Sequence, residues 1–392
     1  MACEAAAGVC TRNGGPVSGL QRVFASPIRG GDTVTIGPNW FGSVMGTGIL
    51  ANAAVTLPWV PQVSVIFARV VWTLSVAALA VLLVAYIVQL KRHGGVVREQ
   101  LNHPVMSQFF GAPPMAMLTV SAGAVLVGID FIGATAALWI AWVLFFVGTV
   151  LGFAVAVLVP FRLFTRIKVA QDAAFGGWLM PIVPPMLSAA SGALLIPHTP
   201  AGELRLLLYY VGYSMFGFSL IASFIIITLI WHRLAHFGTI DTVRVPSLWI
   251  VLGPLGQSIT AIGILGTSAV LVVSPAAAAW LNELVVAYGL PVFGFIVFWS
   301  ALAILMTLRA RRRGMPFALT WWSFTFPVGT CVTATSQLAL HTGLVTLQIT
   351  AVAAFIGLLI AWVFVAFQTT RGAYAGDLLR ARLPDTPPAT KE

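Results

Sequence analysis

The residues of this chain that could do chemistry are uncharged, and they lie in apolar segments that also contain helix-breaking residues. Serine and threonine hydroxyls there could donate hydrogen bonds to a small anion, and a broken helix adds backbone N–H groups with partial positive charge. A single hydroxyl more often bonds back to its own helix, so the recurrence of the pattern is the informative feature. The candidate residues are Gly46, Thr47, Gly48, Pro114, Thr119, Pro185, Ser188, Gly253, Pro254, Ser258, Thr325, Pro327 and Thr330.

Charged side chains usually mark function when they lie inside a membrane, but the long apolar segments of this chain lack them. Asp130, Glu203 and Glu283 fall in short turns, and Asp172 falls at the start of a segment. A relay of buried carboxylates for proton transfer is therefore not expected. No His, Cys or acidic residues share the spacing of metal ligands, so we predict no catalytic residues, no metal and no cofactor.

The composition excludes a soluble protein. Of 392 residues, 59% are hydrophobic and only 8% are charged. Stretches such as 70–89, 133–159 and 346–368 contain no Asp, Glu, Lys or Arg, and each is long enough to cross a hydrocarbon core of about 30 Å. The sequence predicts an all-α polytopic membrane protein whose surface contacts the lipid bilayer. Nucleic acid is not expected as a partner despite the net charge of +10, because the basic residues lie in short loops between apolar spans.

Ten transmembrane helices are predicted from the apolar runs. Their ranges are 39–57, 64–90, 109–128, 132–160, 175–196, 204–231, 246–273, 280–308, 317–341 and 345–368. The odd-numbered spans contain proline or glycine, and Pro114, Pro185, Pro254 and Pro327 recur roughly every 70 residues, with Gly46 extending the series. This repeat predicts five hairpins. Since freed backbone groups are tolerated only where they line a cavity or are buried in protein, the odd helices should be inside and the even ones should face lipid.

The basic residues predict the orientation. Of 21 Lys and Arg residues, 19 fall on one side of the predicted spans, and only Arg69 and Arg205 fall on the other. One membrane domain, 37–370, lies in the cell membrane between two tails, 1–36 and 371–392. The positive-inside rule places both tails in the cytoplasm.

Four stretches resemble one known family. Residues 321–327 read Trp-Trp-Ser-Phe-Thr-Phe-Pro and are similar to the ninth helix of the family that joins plant slow-type anion channels to bacterial tellurite-resistance and dicarboxylate transporters. Residues 39–48 resemble the first helix of its malic-acid transporter and sulfite pump branch. Residues 253–257 and 103–104 are similar to the family as well.

This resemblance implies a fold and a gate. The family has ten helices, as five hairpins around a quasi-fivefold central pore, and is commonly a homotrimer. The pore is closed by a phenylalanine of the ninth helix, and the matching position is Phe326, with Phe324 as the alternative. Without the resemblance, a lone aromatic residue in an apolar helix would be core packing.

Two hypotheses of transport remain open. The first is an anion channel or uniporter, which the lack of buried carboxylates favours. The second is a proton-coupled C4-dicarboxylate (malate) transporter or a sulfite or tellurite exporter of the same family. A dianion such as malate would be expected to meet a cation in the pore, and no Lys or Arg lies in an odd-numbered span. A membrane-embedded enzyme and a sensor are disfavoured, because neither convergent His and acidic groups nor an effector domain is found.

Overall fold

The computed structural model describes residues 35–59, 62–375 and 378. Every regular element in these residues is a helix, which confirms the all-α prediction. The predicted tails, 1–36 and 371–392, lie largely outside the described residues. The α-helices are α1 (Phe41–Thr56), α2 (Gln62–Arg92), α3 (Gly94–Asn102), α4 (Ala112–Gly123), α5 (Ile129–Ile132), α6 (Ala134–Thr165), α7 (Pro184–Leu195), α8 (Glu203–Phe237), α9 (Leu252–Ser268), α10 (Pro275–Arg312), α11 (Phe326–Thr342) and α12 (Val345–Tyr374).

Seven helical segments in the described part of the chain are long and apolar enough to cross a membrane. They are Ser64–Arg92, Met106–Ile132, Ala134–Thr165, Glu203–Phe237, Val245–Leu271, Pro275–Arg312 and Val345–Tyr374. The other three predicted spans contain the shorter helices α1, α7 and α11, of 16, 12 and 17 residues. The chain is therefore a multi-pass membrane protein, and the arrangement of ten spans as hairpins stays a prediction.

Several predicted boundaries are too narrow. The span predicted at 204–231 is the helix Glu203–Phe237, and the span predicted at 280–308 is Pro275–Arg312. Glu203 and Glu283, which were expected in turns, therefore lie within these two helices. The predictions stopped where polar and charged residues begin. The helices continue past these residues because such side chains are compatible with helical backbone where the helix leaves the apolar layer.

Apart from the short helices α3 and α5, five of the described α-helices are buried and five are exposed. The buried helices are α1, α4, α7, α9 and α11, in which most residues are buried. The outer helices are α2, α6, α8, α10 and α12, which carry large exposed apolar side chains such as Phe146, at 68% exposure. In a membrane these faces contact lipid.

Each buried helix is preceded by a short 3-10 segment. These segments are Pro38–Trp40, Met106–Gly111, Gly176–Leu179, Val245–Val251 and Leu319–Phe324. Prolines stand in the first α-helical turn of α4, α7 and α11, where a missing N–H breaks no intrahelical bond. The prolines thus mark where α-helix begins, whereas the sequence had suggested kinks within longer helices.

Side chains and glycines join neighbouring buried helices. Asn52 Nδ2 of α1 donates to the carbonyl of Thr119 in α4 at 3.1 Å, and Ser191 Oγ of α7 donates to the carbonyl of Leu118 in α4 at 3.1 Å. The hydroxyls of Thr260 in α9 and Thr333 in α11 lie 2.8 Å apart. Helix α7 contacts α9, and α11 contacts α1. Each buried helix therefore touches two others, in the order α1, α4, α7, α9, α11 and back to α1.

Candidate functional site

Two cavities lie among the buried helices. The first, which we term the apolar cavity, has about 510 Å³ of empty space and lies at the N-terminal ends of the buried helices. Its walls come mainly from the 3-10 segments and the first α-helical turns. The lining residues are Asn39, Gly42, Met45, Phe109, Met115, Met180, Val183, Ile250, Gly253, Pro254, Leu319, Thr320, Trp322, Ser323, Phe326 and Pro327.

The second, which we term the polar cavity, has about 570 Å³ of empty space and lies farther along the same helices. Each of the five buried helices contributes at least one uncharged polar side chain to it. The lining residues are Ile49, Asn52, Thr56, Leu118, Thr119, Ala122, Leu126, Leu187, Ala190, Ser191, Leu194, Gln257, Thr260, Ile264, Phe326, Thr333 and Gln337. None of the described residues that line either cavity is charged.

Phe326 forms part of both cavity walls, and no other described residue does. It is the first residue of α11, directly after the change from 3-10 to α-helix, and its side chain is 4% exposed. The ring thus lies between an apolar space and a polar one. The residue before it, Thr325, donates through Oγ to the carbonyl of Trp322 at 2.7 Å, at the end of the 3-10 segment.

Phe324 is placed differently from Phe326. Its ring packs edge-to-face against Trp249, with centroids 5.4 Å apart, and against Trp321, at 5.5 Å. It lines neither cavity. The two phenylalanines predicted as alternatives therefore have different surroundings: Phe324 belongs to an aromatic cluster, and Phe326 lines both cavities.

Comparison with known protein families supplies the assignment. Residues 35–370 match the voltage-dependent anion channel family. The chain belongs to this family. The match covers the buried and outer helices together, and it confirms the resemblance recognised in the sequence motifs.

Curated relatives of this voltage-dependent anion channel family member are transporters. An uncharacterized transporter of Methanocaldococcus jannaschii is 26% identical over 352 residues, which cover 88% of this chain and 97% of the relative. A sulfite efflux pump of Trichophyton rubrum is 28% identical over 307 residues, covering 77% of this chain and 81% of the pump. A sulfite efflux pump of Arthroderma otae matches at the same identity and coverage. Family and relatives assign the chain to anion transport and not to an enzyme class.

The hydroxyls predicted as pore-lining fall in two groups in this family member. Of the candidate hydroxyls, Thr119 lines the polar cavity, whose wall also includes Ser191 and Thr260. The other candidates lie at helix contacts instead: Thr47 accepts a hydrogen bond from Trp362 Nε1 at 3.0 Å, Ser258 accepts one from Tyr288 at 2.7 Å, and Ser188 accepts one from Thr149 at 3.0 Å. Thr330 donates to the carbonyl of Pro327 at 2.7 Å. These bonds join helices or lock a helical turn.

The predicted helix-breaking residues are divided in the same way. Gly253, Pro254 and Pro327 line the apolar cavity. The remaining five candidates lie on neither cavity wall. Four of them are buried in helix contacts, and Thr325 lies at the junction between the 3-10 segment and α11. These five are Gly46, Gly48, Pro114, Pro185 and Thr325. Their role in permeation stays a prediction.

The amide side chains of the polar cavity were missed by sequence reasoning. Asn52, Gln257 and Gln337 line it, and none of them was selected as a candidate. A signal was present, because an amide within an apolar span is costly unless it is hydrogen-bonded, and such residues therefore mark polar interiors. The search for hydroxyls and charges passed over them.

Proposed function

We propose that this protein conducts small anions across the membrane through a central pore along the buried helices, and that Phe326 is its gate. The observation that carries the proposal is the position of Phe326 as the shared wall of two otherwise separate cavities. An aromatic ring at a narrow point excludes water and hydrated ions, both by filling the space and by leaving it apolar.

The closed order of contacts among the buried helices supports a quasi-fivefold arrangement. Pairing of α1 with α2, α4 with α6, α7 with α8 and α9 with α10 supports helical hairpins. The last outer helix joins the bundle through side chains, because Trp322 Nε1 donates to Thr369 Oγ of α12 at 3.1 Å. On this basis we propose ten spans as five hairpins around the pore.

Passive conduction is favoured over proton-coupled transport. A coupled carrier commonly uses an ionisable group at membrane depth, and neither cavity is lined by one among the described residues. The N-terminal ends of α9 and α11 border the apolar cavity through Gly253, Pro254, Phe326 and Pro327. The positive end of a helix dipole stabilises negative charge, so these ends favour anions without titrating.

We propose sulfite as the anion that this protein transports. The observation that favours it is the similarity to two fungal sulfite efflux pumps over most of the chain. Malate would cross these walls as a dianion without a cationic partner, so the dicarboxylate carrier is disfavoured. Tellurite has no specific support.

Orientation, location and assembly complete the proposal. Basic residues gather at the ends of α2, α6 and α10, as Lys91 and Arg92, Arg162, and Arg309, Arg311 and Arg312. Positive-inside asymmetry then supports cytoplasmic tails and an apolar cavity on the cytoplasmic side of the cell membrane. The homotrimer rests on family resemblance alone.

Reconstituted flux tests the function directly. Liposomes containing the purified protein are loaded with chloride, nitrate, malate or sulfite, and efflux and membrane current are measured with and without a pH gradient. We expect the reversal potential of the current to follow the anion gradient. The pH gradient should not change this potential when the charge state of the anion is held constant. Stoichiometric uphill transport driven by a pH gradient would establish a carrier and contradict the channel.

A further inference from the structure

Gln257 of α9 carries a buried amide in the wall of the polar cavity. Its side chain is 5% exposed and lines the polar cavity, yet it makes no hydrogen bond to any residue that the structure describes. A buried amide that is not hydrogen-bonded carries a free-energy cost, so such a group in a cavity wall calls for a ligand or water.

Two further amides share the polar cavity with Gln257. The side chain of Gln337 in α11 also makes no hydrogen bond within the described part of the chain. Asn52 in α1 is 4% exposed and donates through Nδ2 to the Thr119 carbonyl. Since an amide nitrogen carries two hydrogens, Asn52 keeps one N–H uncommitted.

Backbone contacts orient two of these amides. Gly263 lies against Gln337, so closely that a Cβ built on this glycine would be 2.7 Å from Gln337 Oε1. Gly123 lies in the same way against Asn52 Oδ1, at 2.8 Å. Both oxygens are fully buried and accept no hydrogen bond from the described residues. Since each oxygen lies against a glycine of a neighbouring helix, the N–H groups are the part of these amides that remains for the cavity.

The hydroxyls of the same cavity have bonding partners already. Thr119 donates to the carbonyl of Met115 at 2.7 Å, and Ser191 donates to that of Leu118 at 3.1 Å. Thr260 and Thr333 bond each other and their own helices. Among the described residues of this cavity, the uncommitted donors are thus the three amides.

We propose that Gln257, Gln337 and Asn52 form an uncharged binding site for a singly charged anion, on the polar-cavity side of Phe326. The proposal rests on the function proposed above and specifies its substrate class. Amide N–H groups recognise an anion as donors without a counter-charge. The desolvation cost of an ion grows with the square of its charge, so a dianion loses about four times as much hydration energy as a monoanion of equal size.

Neutral donors cannot offset that larger loss, because their interaction energy rises only in proportion to the charge of the ion. The site should therefore accept nitrate, chloride or hydrogensulfite and reject sulfate, malate and the sulfite dianion. If sulfite is the cargo, hydrogensulfite is the form that crosses.

Binding is tested without any requirement for flux. Full-length protein in detergent is heated in sodium nitrate or sodium sulfate at matched ionic strength, and the salt-induced change in melting temperature is compared among wild type, Gln257→Leu and Gln337→Leu. Gln348→Leu, in α12 and on neither cavity wall, is the matched control. Comparison within one salt cancels general salt effects on stability.

We expect nitrate to stabilise wild type and Gln348→Leu through saturable binding, and both cavity variants to lose that increment. Sulfate should affect all four proteins alike. If Gln257→Leu does not fold, Gln337→Leu provides the same comparison. A nitrate increment that is absent from wild type, or kept in both cavity variants, would refute the site. Equal saturable increments from nitrate and sulfate would refute the selection by charge.

Flux separates this proposal from the proposed function. In liposomes, Gln257→Leu in a Phe326→Ala background should lower the nitrate flux about tenfold, the equivalent of one lost hydrogen bond. An unchanged nitrate flux would refute the role of Gln257 in anion permeation. Nitrate binding that requires the amides, with no flux in any variant, would refute the channel and leave the binding site standing.

Discussion

Trp362 of α12 donates its indole N–H to Thr47 Oγ of α1 at 3.0 Å, across 315 positions of the sequence. The first buried helix and the last outer helix are thereby joined. Thr47 was predicted to line a pore, but its hydroxyl is used in this contact and lies on neither cavity wall. Its contribution should accordingly be to stability.

Thr47→Val is expected to destabilise the protein without changing permeation. Valine leaves the half-buried Trp362 indole N–H without its partner, which costs about 1 kcal/mol. The melting temperature should fall, while anion selectivity and flux per folded molecule stay at wild-type values. An altered permeability ratio in Thr47→Val would show that Thr47 lines the pore after all.

Gly46 provides a test of the close contact between α1 and the residues just before α11. A Cβ built on Gly46 would meet Thr325 Oγ and would lie 2.6 Å from Cε3 of the Trp322 ring. Gly46→Ala should destabilise the protein by about 1–3 kcal/mol through overpacking. Gly357→Ala is the control, because this exposed glycine of α12 has nothing within 4 Å, and alanine there should stabilise the helix by up to about 1 kcal/mol. Equal effects in thermal unfolding would contradict the close contact.

His103 should make stability depend on pH. It precedes the second 3-10 segment, and its Nδ1 accepts hydrogen bonds from the backbone N–H groups of Val105 and Met106, both at 3.2 Å. Burial lowers the pKa of His103 from its ordinary value of 6.5. The folded state therefore favours the neutral ring, and this stabilisation is complete above about pH 6.5 and is lost as the pH falls through the folded pKa.

Melting temperatures of wild type and His103→Asn across pH 5 to 8 measure this effect. Asparagine can accept the same backbone bonds but does not titrate. The wild type should lose stability relative to His103→Asn on acidification. A constant difference between the two proteins over the whole range would exclude His103 as the source.

Topology is tested by accessibility of single cysteines. The three native cysteines are replaced, and Arg312→Cys and Glu203→Cys are labelled in intact cells with a membrane-impermeant thiol reagent. Both positions are exposed. We expect Glu203→Cys to react from outside and Arg312→Cys to react only after permeabilisation. The reverse pattern would invert the proposed orientation.

The division into buried and outer helices was predictable from the sequence, but the starts of the α-helices were misinterpreted. Prolines and glycines that recur on alternate spans identified the interior because backbone irregularity needs protein neighbours in a membrane. Pro327 marks the change from 3-10 to α-helix at Phe326, but the prediction interpreted it as a kink within a longer helix. Sequence alone did not distinguish these two roles, because both place a proline inside one apolar span.

The site was predictable only in part for a similar reason. Phe326 was selected by family resemblance, and its position between two cavities needed coordinates. Whether a hydroxyl faces a cavity or a neighbouring helix is decided by packing: Thr119 lines the polar cavity and Thr47 does not. Gln257 and Gln337 could have been selected from the sequence, because an amide in an apolar span is costly to bury. That they have no hydrogen-bond partner among the described residues is seen only in the structure.

Anion efflux from liposomes that hold equal amounts of folded wild type, Phe326→Ala and Phe324→Ala is the most direct test of Phe326 as the gate. Removing a ring that separates two cavities should join them, so Phe326→Ala should raise flux per folded molecule well above wild type. Phe324→Ala removes an aromatic packing residue, and it should lower stability and leave flux unchanged. An ordinary core phenylalanine truncated to alanine costs about 3–5 kcal/mol and opens no path. Unchanged or reduced flux in folded Phe326→Ala would therefore contradict the gate, and a rise confined to Phe324→Ala would transfer that role to Phe324.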